Sequence, residues 1–91
     1  MANQKAVEWR QIGENDWNAE VDGYRLEINK LYSYFWNEET PFYFLIVSRK
    51  VRNDVKVGDV YEVLGTEEID NFKSAKTLCE QIYLQHKNGN K

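Results

Sequence analysis

The sequence predicts an α+β fold, an antiparallel β-meander of four to five strands with one C-terminal α-helix packed on one face. Three observations predict it. Apolar and polar residues alternate in short stretches between Val7 and Leu64, the period of half-buried strands. Asp22-Gly23 sits between two such stretches, and this dipeptide accepts the positive φ angles of a tight turn joining antiparallel strands. After Gly65 the apolar spacing changes from two to three and four, which marks a switch to helix.

The elements follow in order. Val7 and Trp9 alternate with Glu8 and Arg10, so Val7 to Ile12 is a first strand, ended by the turn residues of Gly13-Glu14-Asn15-Asp16. Trp17, Ala19 and Val21, then Tyr24, Leu26 and Ile28, form the arms of a hairpin around Asp22-Gly23. Residues 42 to 47, Phe-Tyr-Phe-Leu-Ile-Val, are apolar at every position, as in a strand covered on both sides. One helix covers only one of those sides. The other must be met by the aromatic segment before it, by the N-terminal strand or by another molecule. Val51 to Asp59 reads as a loop or a long hairpin tip, and Val60 to Leu64 as a last strand closed by Gly65. The helix carries Phe72, Ala75, Cys79, Ile82 and His86 on one stripe flanked by Leu78 and Tyr83, with Asp70 or Asn71 placed to cap it. Residues 1–6 and 88–91 are expected to fray.

Ninety-one residues make one domain, 1–91. A domain of this size buries only about 60–65% of the surface of its unfolded chain, so its core is thin. No apolar run approaches the roughly 20 residues of a membrane helix, and Met1 to Lys5 lacks an export signal, so a cytoplasmic protein is expected. Cys79 and His86 are the only residues of their kinds. That excludes an internal disulfide and leaves a zinc site without ligands. No cofactor is implied. Glu38-Glu39 and Glu67-Glu68 read as solvated turn charges. Cys79 lies on the apolar stripe, where a thiol is inert, and no nucleophile with a base or phosphate-binding loop is present. The chain is therefore read as a non-enzyme, with no catalytic residues.

What remains is a surface. Seven of the thirteen aromatic residues fall between Tyr32 and Phe44, more ring area than a small core encloses when each ring buries about 150–250 Å². Strand alternation puts Tyr32, Tyr34 and Trp36 on one face, with a polar rim from Asn37, Glu38 and Glu39. Either an extended hairpin or an irregular loop would project these rings away from the helix. The net charge of −3 hides an uneven pattern, with Arg49, Lys50, Arg52 and Lys56 followed by an acidic run from Asp59 to Asp70. Tyr32, Tyr34, Trp36 and Tyr43 are the expected contact anchors, and Arg49, Lys50 and Arg52 the expected charged rim.

The Trp17-to-Ile28 hairpin, the strand ending Leu64-Gly65 and the helix opening Asn71-Phe72-Lys73-Ser74-Ala75-Lys76 resemble small proteins abundant in bacteriophages and prophages. In outline these are similar to a double-stranded-RNA-binding domain without its first helix. The chain departs from that pattern by its aromatic insertion at 31–41 and its basic stretch at 49–56. No functional residue carries over. The resemblance implies a context: phage proteins of this size, anti-CRISPR and other anti-defence proteins among them, commonly bind and block a host protein. The expected partner is accordingly a host protein in the host cytoplasm, with a homodimer as another occupant of the same surface. Nucleic acid stacking on the rings, with the basic stretch on phosphates, is the alternative; a small-molecule sponge with a pocket at a dimer interface is a third. Membrane is not an expected partner.

Overall fold

A computed structural model describes residues 7–35 and 38–89, without the side chains of residues 34, 35 and 38. Five antiparallel strands lie in the order β1-β2-β3-β4-β5, each beside its neighbour in sequence. They are β1 (Arg10–Gln11), β2 (Asp16–Val21), β3 (Tyr24–Phe35), β4 (Glu38–Asp54) and β5 (Gly58–Ile69), followed by helix α1 (Phe72–Gly89). The expected α+β meander with one helix on one face is the observed architecture.

The β2–β3 hairpin turns at Asp22 and Gly23, whose φ angles of 52° and 83° are both positive, as a type I′ turn requires. The register that follows pairs Ala19 with Leu26 and Val21 with Tyr24, and β4 continues it with Leu26 opposite Val47 and Ile28 opposite Leu45. One face of three strands is thereby lined with branched apolar side chains. Against it α1 places Ala75, Cys79 and Tyr83, and these residues are at most 1% exposed. Asn71 caps the helix, its Oδ1 accepting a hydrogen bond from the Ser74 amide at 2.8 Å.

Two side-chain ties hold the helix at its flanks. Trp9 Nε1 donates to Glu80 Oε2 at 2.7 Å, so the segment before β1 is fastened to the middle of α1. At the far end the Tyr83 hydroxyl and Lys87 Nζ each donate to Asp22 Oδ2 at 2.7 Å, with Lys87 Nζ 3.2 Å from the Tyr83 oxygen. The Tyr83 ring also meets Tyr24 edge-on at 5.1 Å. The last turns of the helix are thus clasped to the β2–β3 turn.

Several boundaries differ from the sequence reading. The first strand is only Arg10–Gln11, and Val7 and Trp9 pack their side chains against the core without entering the ladder. Of the two readings of Val51 to Asp59, the long hairpin tip is the observed one and the loop is not: β4 runs to Asp54 and β5 starts at Gly58. The turn between them is made by Asp54 Oδ1, which accepts from the Lys56 and Val57 amides at 2.7 and 3.2 Å, and by Gly58 at φ 86°. Nor does Gly65 end the last strand. It pairs with Val47 inside β5, beneath Ile82 of the helix, so Glu67 and Glu68 are strand residues and not turn residues. The helix continues through Gly89, past the expected fraying point at 88. No helix among the described residues is long and apolar enough to cross a membrane.

Candidate interaction surface

The aromatic segment is a tall hairpin. β3 and β4 pair without interruption from Tyr24↔Arg49 to Phe35↔Glu38. Residues 38–41 are therefore strand, and the extended hairpin is the form observed among the described residues. Pro41 is accommodated opposite Tyr32 because β5 does not reach that far, so one side of β4 has no ladder to complete there.

What makes this hairpin distinctive is where its neighbours stop. β2 begins at Asp16 opposite Asn29, and β5 ends at Ile69 opposite Tyr43. Lys30–Phe35 and Glu38–Phe42 therefore continue as a two-stranded arm, about 20 Å long at the usual rise per residue. The shape records it. The Cα radius of gyration is 14.8 Å, against about 12 Å for a compact domain of this length. On one face of the arm Leu31 lies opposite Phe42, and on the other Tyr32 lies opposite Pro41. Leu31 and Tyr32 are 43% and 40% exposed. Lys30 Nζ sits 5.5 Å from the Tyr32 ring centre and 6.0 Å from that of Tyr43. A hydrogen bond with Tyr32, ahead of the charge of that phenol and of Tyr43, raises the Lys30 pKa.

The expected site residues separate into three groups. Tyr32 lies on the arm, and Tyr34 belongs to it by its backbone register with Glu39; Trp36 lies outside the described residues. Tyr43 does not project away from the helix. Its ring lies 6.2 Å from Trp17 and 5.8 Å from Phe72, while Trp17 and Phe72 are 4.7 Å apart. These three rings seal the sheet against the first turn of α1, so Tyr43 is internal packing. The reason is parity: Tyr43 is two residues from Leu45 and shares its helix-facing side.

Arg49, Lys50 and Arg52 form the third group, and they are not a rim to the arm. Eight residues of β4 separate Arg49 from Pro41, about 26 Å along the strand. Two of the three are already engaged across the β4–β5 ladder, Arg49 with Glu62 at 3.1 Å and Lys50 with Asp59 at 3.8 Å. Arg52 is exposed, opposite Val60. The basic and acidic stretches of the sequence are thus cross-strand neighbours that neutralise one another in part.

The sheet face away from the helix is the second apolar side of residues 42–47, which the sequence left to the aromatic segment, the N-terminal strand or another molecule. Phe42, Phe44 and Ile46 lie on it half-buried, beside exposed Val63, and no described element covers it. Farther along, the Arg25 guanidinium lies 4.2 Å over the Tyr61 ring and 3.3 Å from Glu20. A shallow cavity of about 260 Å³ opens near this end, with Glu20, Asp22, Lys50, Asp59 and Tyr61 in its wall. The alternation of Phe44 and Ile46 with Leu45 and Val47 was the available signal, since only one set can meet a single helix.

Cys79 is fully buried, and burial, ahead of the charges of Glu80 and Glu27, pushes its thiol up to about 12. The described residues contain no group of three potential metal ligands. No family model matches the chain, and searches of curated proteins and of solved structures return no significant match. What the fold and site define is a class: a one-layer antiparallel meander, backed by a helix, with a protruding aromatic arm.

Proposed function

We propose that this chain is a small non-enzymatic binding protein that works by inserting its β3–β4 arm into a concave surface of a partner protein. The observation that carries the reading is the arm itself, with Leu31 and Phe42 on one face and Tyr32 and Pro41 on the other, extended past every described element able to cover it. A two-stranded ribbon is marginal in water on its own, and large exposed apolar patches mark contact sites. A projecting ribbon fits a cleft, and occupying a cleft blocks whatever else uses it. In the setting that the phage-protein resemblance implies, the partner is a host defence protein met in the host cytoplasm, and the outcome is inhibition. Tyr32, Tyr34 and Trp36 are the anchors; Tyr43 and the bases of β4 are not.

The test places a photo-crosslinking amino acid at position 32 and, as a control, at position 55 on the opposite hairpin. Each is exposed to a bacterial host lysate with and without nuclease, beside a Trp36→Ala variant. The expected result is one nuclease-resistant protein adduct through position 32, reduced in Trp36→Ala by the roughly thirtyfold weaker binding that loss of a hot-spot residue brings, about 2 kcal/mol. Adducts equally abundant through position 55 would reject the arm. Recovery of nucleic acid alone, with affinity falling steeply in salt, would establish stacking on the rings instead. Self-adducts in purified protein would assign the surface to a homodimer.

A further inference from the structure

The two edges of the sheet are unlike. β1 offers two residues and then turns away, whereas β5 is a twelve-residue edge whose outer side pairs with no described segment. Long edges invite another strand, and proteins usually blunt them with proline, lysine or bulges. β5 contains no proline and no lysine. Its one extra residue, at the register shift opposite Val47 and Ser48, is Leu64. Beyond it Gly65–Ile69 pair in unbroken register with Val47–Tyr43. This five-residue stretch is open for strand addition.

Charge selects the occupant. Asp59 and Glu62 are engaged by Lys50 and Arg49, but Glu67 and Glu68 are exposed and have no ion-pair partner among the described residues. Being consecutive, they stand on opposite faces of the sheet. A second copy of β5 would bring the same carboxylates against these, with no base on either strand, and like charges facing each other destabilise a strand pair. We propose that Gly65–Ile69 is a strand-addition site for an extended basic segment of a partner protein. The segment would form a sixth strand, its backbone completing the outer ladder. Lysine or arginine side chains on both its faces would meet Glu67 and Glu68. This surface is separate from the arm and goes beyond the function proposed above.

The probe is a capped ten-residue peptide of alternating lysine and valine, beside its glutamate–valine counterpart and a lysine–valine version N-methylated at alternate residues. Titration into ¹⁵N-labelled protein should give saturable shifts confined to Gly65 through Ile69 and slowed exchange of the outward-facing Thr66 and Glu68 amides. The N-methylated and glutamate peptides should bind at least tenfold more weakly. Glu67→Lys/Glu68→Lys, at exposed positions, should keep a dispersed native spectrum and prefer the glutamate peptide. Equal binding of the N-methylated peptide would reduce the effect to bulk charge and overturn strand addition. So would shifts centred on the arm, or no saturation at about millimolar peptide. Loss of arm-dependent binding in Trp36→Ala with retained peptide binding would show the two surfaces to be independent.

Discussion

Replacing Tyr43 and Tyr32 in parallel by alanine separates packing from presentation, because the two residues share one hairpin and one side chain type yet differ in surroundings. Tyr43 contacts the Trp17 and Phe72 rings, and each aromatic pair contributes about 0.5–1.5 kcal/mol beyond area. Partial burial of its ring adds about 1.5 kcal/mol. Tyr43→Ala should therefore lose about 3 kcal/mol, which in a domain of this size lowers Tm by about 15 °C. Tyr32, at 40% exposure and with Lys30 against its ring, should lose under about 1 kcal/mol. Urea unfolding followed by tryptophan fluorescence measures both, with the slope of the transition confirming that the folded state is comparable. Equal losses, or a larger loss at Tyr32, would refute the assignment of Tyr43 to the core and of Tyr32 to the free arm.

Further outcomes follow from the same contacts. Asn71→Ala removes the cap on the Ser74 amide and should cost about 1 kcal/mol by thermal or urea unfolding. Tyr83→Phe deletes the hydroxyl held by Asp22 and should cost about 1–1.5 kcal/mol, read most directly as faster amide exchange in the last helical turns. The hydrogen bond to Asp22, ahead of that to Tyr83, raises the Lys87 pKa above 10.5. Its stabilisation is therefore complete below pH 10.5 and lost at higher pH, so the gap in Tm between wild type and Lys87→Met should close as pH rises past that value. Cys79 has its pKa raised from an ordinary 9.0 to about 12, so its neutral thiol favours the fold below pH 9. Above that the wild type should lose stability relative to Cys79→Ala by about 1.4 kcal/mol per pH unit until pH 12.

The sheet and helix were legible because local chemistry and tertiary demand agree in them. Asp22-Gly23 permits one kind of turn and is in it; the stripe from Phe72 to Ile82 has one face and buries it. Legibility failed where one stretch of sequence supports two uses. Thr40 and Pro41 are turn formers by composition, but an uninterrupted ladder with β3 overrides them, and the missing amide of Pro41 is harmless where β5 has already ended. Arg52, Asn53 and Asp54 look like a loop, and they are strand because Val60, Asp59 and Gly58 return opposite them. For the candidate surface, the aromatic window was visible, but its division was not. Whether Tyr43 or Tyr32 lies under the helix depends on where α1 begins along β4, and no period within 32–44 carries that information. The Asp22 clasp and the open edge of β5 were equally hidden, each being a relation between segments distant in sequence.

The neighbour-to-neighbour order of the strands also sets a sequence of events when the chain is made. Every strand meets its partner as soon as the next segment emerges, so the sheet can assemble during N-to-C synthesis. Its apolar face, with Leu26, Ile28, Leu45 and Val47 all fully buried in the finished fold, has no cover until α1 arrives. For that interval the nascent chain is a bare hydrophobic plate with an aromatic ribbon at one end and an open edge at its side. The helix therefore acts as the step that commits the molecule to solution, and a free chain cut short between Ile69 and Phe72 would be the form most prone to aggregate or to engage a chaperone.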